Sequence, residues 1–170
     1  MIRFAALHVQ LALCLQRFEM NALTIREAED LFKSNIESDI AIGVRIVEDL
    51  AKSGDGEAKY ALASWIVNES YGYKFDLDYA EQLFSESCDS GYPKAYYDLA
   101  ALQLYKSGPD RFRRAFGLLV CGAISGDADA TKQVASAMSA GRGCFKDERS
   151  ARFLNKIASQ MNKQVNVDRI

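Results

Sequence analysis

Three stretches of this chain can be laid over one another without a gap. Ser53-Gly54-Asp55-Gly56-Glu57-Ala58 aligns with Ser90-Gly91-Tyr92-Pro93-Lys94-Ala95 and with Ser125-Gly126-Asp127-Ala128-Asp129-Ala130, so the glycines stand 37 and 35 residues apart. Four residues after each glycine comes alanine (Ala58, Ala95, Ala130), eight after comes a branched aliphatic (Leu62, Leu99, Val134), and nine after comes alanine again (Ala63, Ala100, Ala135). A period of this length marks stacked supersecondary units, each too small to bury its own apolar face. The chain is thereby constrained to an array.

The other half of each unit repeats as well. Ala80, Ala115 and Ala151 head apolar runs in which Leu83, Leu118 and Leu154 follow three residues on. Ala80 and Ala115 lie eleven residues before Gly91 and Gly126, and Gly43 lies eleven before Gly54 with Ile46 in the leucine slot. A partial unit therefore precedes the first complete one. These spacings suit two antiparallel helices per repeat, in which small residues let axes approach and leucines at i+3 and i+4 form an apolar stripe. Gly54, Gly91 and Gly126 fall where a helix stops, since glycine takes the left-handed C-terminal cap without steric cost. Asp55 and Asp127 are expected as N-caps of the next helix, with Pro93 in its first turn. Asp39, Asp76 and Asp147 are expected to cap the second helices, and Thr24-Ile25-Arg26-Glu27 reads as a capping box.

These residues resemble the Sel1-like repeat family, whose pattern opens Gly-x-Gly-Val-x-x-Asp and ends Ala-x-Tyr-x-Leu-Gly. Gly141-Arg142-Gly143-Cys144-Phe145-Lys146-Asp147, followed by Ala151, matches the opening loop, with Cys144 in the valine position. Gly72 and Asp76 keep its second half, Ala51, Cys88 and Ala123 fill a small slot three before the glycine, and Tyr60 and Tyr97 fill the tyrosine slot. The family's tryptophan slot holds Leu83, Leu118 and Leu154, and its Leu-Gly pair reads Leu-Ala or Val-Ala. The resemblance runs from about Ile36 to Gln160. It implies an all-α, right-handed superhelical solenoid of antiparallel helix pairs. On this basis residues 1–35 are expected as N-terminal capping helices, 36–160 as about three and a half repeats, and 161–170 as a tail.

Composition excludes several alternatives. Of 170 residues, 49% are hydrophobic and 26% charged, as in an ordinary folded protein, and the formal charge of −2 gives no positive field to hold nucleic acid. Pro93 and Pro109 are the only prolines and both sit at turns. Cys14, Cys88, Cys121 and Cys144 form no CxxC pair, which argues against zinc; Cys88 and Cys121 read as small core hydrophobes. From Ile2 to Phe18 the chain is apolar but broken by Arg3, His8 and Gln10, too short for a membrane span. It reads as a capping helix, with a signal peptide as the alternative, so the expected compartment is the cytoplasm or, on the second reading, the periplasm.

No constellation of nucleophile, base and support is evident, so no enzyme and no cofactor are expected. His8 is the single histidine and reads as structural. Asp76 and Asp147 occupy one repeat slot, which capping explains, and Gly141-Arg142-Gly143 is too short for a dinucleotide fingerprint. Stacked helix pairs curve, and their first helices offer an extended face to another protein. The expected contact residues are Glu57, Tyr60, Ser64 and Asn68, then Lys94, Tyr97 and Tyr105, then Asp129, Lys132 and Ser136; each tyrosine equally fits packing between helices. The resemblance implies bacterial adaptors and regulators of signalling or envelope assembly. It also implies small immunity proteins that neutralise a secreted toxin or effector, the reading this short chain fits best. A β-lactam-binding hydrolase is the remote alternative, for which the Ser-x-x-Lys motif and its companions are missing.

Overall fold

The computed structural model describes residues 24–34 and 36–167, with side chains through 162. The readings of the apolar N-terminal stretch, His8 and Cys14 fall outside them. Every element among the described residues is an α-helix, and the contacts divide the chain into two compact units that meet in sequence at Ser53 and Gly54.

In the first unit, α1 (Ile25–Lys33) packs on α2 (Glu37–Ser53). The Glu27 carboxylate accepts the Thr24 backbone N–H at 2.7 Å, as the capping box requires. Gly43 sits against α1 so closely that an added Cβ would stand 2.7 Å from the Phe32 ring. Asp39 is a correction. The helix begins at Glu37, which places Asp39 in its first turn instead of at the cap, where its charge still favours the positive helix end.

The second unit holds α3 (Gly56–Val67), α4 (Leu77–Asp89), α5 (Pro93–Tyr105), α6 (Arg111–Ile124), α7 (Ala128–Ala140) and α8 (Glu148–Val167). Within this unit each helix packs on the next in the chain, and α5 also touches α7. Residues 161–167, expected as a tail, continue α8.

Glycine makes the junctions. Gly91 and Gly126 take φ of 81° and 93°, the left-handed region. There the Tyr92 N–H reaches the Ser87 carbonyl (3.1 Å) and the Gly91 N–H that of Cys88 (2.9 Å). Asp127 to Gly122 (3.0 Å) and Gly126 to Ala123 (3.2 Å) repeat the pair. These two bonds satisfy the last free carbonyls of the helix and turn the chain in two residues. The next helix starts at once: Asp55 accepts the Ala58 N–H at 2.7 Å, and Asp127 accepts those of Asp129 (2.7 Å) and Ala130 (3.0 Å). Asp76 and Asp147 cap α4 and α8 in the same way, at 3.0 Å.

All six repeat alanines of the first helices are buried, as are Leu62, Leu99 and Val134. The slots of the second helices are less uniform: Leu83 is buried, whereas Leu118 and Leu154 are only half-buried. Cys88 is buried but Cys121 is exposed, against expectation. Cys88 stands three residues before its glycine and Cys121 five before its own, and two positions on a helix is more than half a turn.

Gly141 ends α7 at φ 70°, and Gly143, at φ 77°, lies against the first turn of α6. An added Cβ there would run into the Phe112 carbonyl and stand 3.0 Å from the Arg113 nitrogen. Gly117, inside α6, has nothing within 4 Å of an added Cβ. Gly143→Ala should cost about 2–4 kcal/mol through strain and collision together, whereas Gly117→Ala should gain about 0.5–1 kcal/mol of helix propensity. Chemical denaturation of both variants checks this, and equal effects would contradict it. Ala100, 1% exposed in a cluster with Ala115, Leu119, Ala130 and Val134, should overpack as Phe and lose about 1–3 kcal/mol in the same assay.

Candidate functional site

Because Tyr60 and Tyr97 each stand six residues after a junction glycine, the repeat brings them to the same side of α3 and α5. Between them lies a groove of about 470 Å³, lined also by Tyr92, Lys94, Asp98, Asp127 and Asp129, with Met161 and Asn162 of α8. A second hollow of about 590 Å³ shares Tyr60 and Asp98 and continues along Ser64, Trp65, Asn68, Ala101 and Leu102. The two form one face along the first helices.

Tyr60 is the hinge of this face. Its ring stands 5.7 Å from Phe84 and 5.1 Å from Tyr92, and it shares the groove lining with Asp98. Burial, and then the charge of Asp98, pushes its ionisation up to about 12. Burial also raises Asp98 above the usual carboxylate range, with Asp127 adding to the effect and the Tyr60 hydrogen bond opposing it. The Tyr92 hydroxyl donates to Glu57 at 3.1 Å. Tyr97 does two jobs, packing against the core cluster around Ala100 and lining the groove.

Of the ten expected contact residues, Tyr60, Lys94, Tyr97 and Asp129 line the groove, Ser64 and Asn68 line its continuation, and Glu57 touches the lining through Tyr92. Tyr105, 77% exposed at the end of α5, and Lys132 and Ser136, exposed on α7, are not among the lining residues. Sequence reasoning missed Asp98 and Trp65. Asp98 stands seven residues after its glycine, where the other repeats have Ala61 and Gln133, so the repeat pattern carries no signal for it.

A larger hollow of about 790 Å³ lies between α4 and α6 and is floored by Leu99 and Gln103. Its acidic wall is already answered within the chain. Glu81 accepts from Gln103 at 2.6 Å and pairs with Lys106, which also faces Asp78 at 3.9 Å. Arg113 on the other wall pairs with Asp110 at 3.1 Å. The tyrosine groove is the better candidate because its carboxylates have no such partners. Chemically it offers aromatic faces, carboxylates and one lysine. The buried Cys88 thiol is pushed up to about 12 and stays protonated, and Asp76 and Asp147 serve as helix caps.

A raised carboxylate marks a site where ionisation weakens the fold. The unfolded chain ionises Asp98 first, near pH 3.9, so stability is lost as pH rises from there. Asp98→Asn should therefore raise Tm at pH 7, with the gain shrinking as pH falls toward about 4. Melting curves of both proteins across that range decide it; a lower Tm at pH 7 would show that the carboxylate stabilises the groove.

No family model matches the chain, and no curated protein matches it. Among solved structures it is similar to a Sel1 repeat protein from Oxalobacter formigenes, with a TM-score of 0.68 and 23% identity over 76% of this chain and 53% of that one. It is also similar to c5321, a protective antigen present in uropathogenic Escherichia coli strains and displaying an SLR fold, with a TM-score of 0.62 and 21% identity over 68% of this chain and 25% of that one. The chain thus spans about half the length of the first and a quarter of the second. With its junction glycines, alanine slots and capping aspartates in the repeat register, the chain has the fold of the Sel1-like repeat proteins.

Proposed function

We propose that the chain is a protein-binding module that holds its partner along the tyrosine-lined face of α3 and α5. The observation that carries this is the groove itself, where Tyr60, Tyr92 and Tyr97 stand beside carboxylates on a rigid helical frame. Tyrosines bring large contact area with few rotamers to freeze, and clustered tyrosines serve as anchors in protein interfaces. The more specific reading is a bacterial immunity protein whose partner is a secreted toxin or effector. It draws on the sequence resemblance to small immunity proteins of the Sel1-like kind. A regulatory adaptor is the second reading, and it draws on the resemblance to Sel1-like adaptors and regulators. No helix among the described residues is long and apolar enough to cross a membrane.

Affinity purification from the native host with mass spectrometry separates the two: a dominant toxin supports immunity, while signalling or envelope proteins support the adaptor. With the partner in hand, Tyr97→Ala should weaken binding about tenfold or more, and Lys132→Glu, on the same helical register beyond the groove, should mainly change the association rate. Lys156→Glu on α8, outside the groove lining, is the control and should leave binding unchanged. Calorimetry and melting curves are read together, because Tyr97 also packs. Normal affinity of folded Tyr97→Ala would refute the assignment of this face.

A further inference from the structure

The groove lining is lopsided in charge. Asp98, Asp127 and Asp129 face it, with Lys94 as the counterweight. Elsewhere acidic side chains find cations, as Glu86 does with Lys59 at 2.9 Å and Glu81 with Lys106. Among the described residues no lysine or arginine pairs with Asp98, Asp127 or Asp129. Asp127 uses Oδ1 for both of its capping bonds, which leaves Oδ2 without one. Asp98 is half-buried on the same lining as Tyr60, at a depth where a carboxylate is poorly solvated.

Aromatic rings stand around these carboxylates. Tyr60 and Tyr92 lie 5.1 Å apart at 47°, with Tyr97 on the same lining. The face of such a ring attracts a cation within about 6 Å, and more strongly when water is excluded. Resting on the reading of this face as a partner site, we propose that the groove takes an arginine or lysine side chain from a basic segment of the partner protein, its stem against the tyrosine rings and its charge at Asp98.

The competing occupants fit less well. An acidic side chain would meet three like charges, and an apolar one would strip water from Asp98 without answering its charge. Among the described residues no group of three His, Cys, Asp or Glu side chains is placed to hold a metal ion. A volume of about 470 Å³ admits a long side chain, and the adjoining hollow along Ser64 and Asn68 gives the flanking residues of a peptide somewhere to run.

The test uses a displayed library of twelve-residue peptides selected on the folded full chain, with selected peptides then synthesised and titrated by calorimetry. Expected are peptides with a required arginine or lysine, whose replacement by norleucine weakens binding about tenfold or more. Asp98→Asn should cost a similar factor and should make the norleucine replacement nearly neutral, since the two changes remove one interaction. Folding of each variant is checked by its melting curve. Peptides that lose binding to Tyr97→Ala but tolerate norleucine would overturn the cation preference and leave the binding face standing. Peptides indifferent to both Tyr97→Ala and Asp98→Asn, or no selected peptide at all, would bring down the face along with it.

Discussion

Position in this protein is measured from the junction glycine. At Gly91 and Gly126 the left-handed backbone lets two successive N–H groups fold back onto the helix just ended, so the following helix begins after two residues in a fixed direction. A longer or looser link would let that helix slide. Here Ala95 and Ala130 instead arrive buried four residues later, and Gly122 meets Ala130 so closely that an added Cβ would stand 2.9 Å from it. The Ser87 hydroxyl adds a bond to the Gly56 carbonyl at 2.5 Å, tying the end of α4 to the start of α3. With axis and rotation set this way, the residue six past each glycine has one place to go.

That dependence explains what could be read in advance. Slots that the repeats fill for the same physical reason were legible: glycine for backbone sign, alanine for close approach and, at Asp55, Asp76, Asp127 and Asp147, aspartate for unpaired N–H groups. Asp39 failed because a cap depends on where a helix begins, and α2 begins two residues before it, at Glu37. Cys121 failed because cysteine suits a core or a surface equally, and only its offset from the glycine decides. Tyr105, Lys132 and Ser136, named as outward positions of the first helices, lie on exposed surface beyond the groove lining. Asp98 was invisible for the opposite reason: it is where the repeats differ.

The groove therefore arises from departures laid over a regular frame. The frame supplies the parallel first helices; Asp98 and the length of α8 make them into a pocket. At 20 residues α8 outruns the other helices, and through Met161 and Asn162 it closes one side of the groove. The Thr131 hydroxyl on α7 lies 3.9 Å from the Met161 sulfur, which links that wall to the buried side of the neighbouring helix. A repeat array gains a specific site most readily at such a break in its periodicity, since identical units present identical and individually weak surfaces.

Trp65 is the one tryptophan of the chain, and it lies in the continuation of the groove with Tyr71 packed edge-on at 4.7 Å and Tyr73 at 6.1 Å. Its indole is half-buried, so part of its surface still meets water. Indole emission moves to shorter wavelength as water leaves the ring. The molecule thus carries a built-in optical reporter beside its candidate site, one that registers occupancy of the hollow without any attached dye and without background from a second tryptophan.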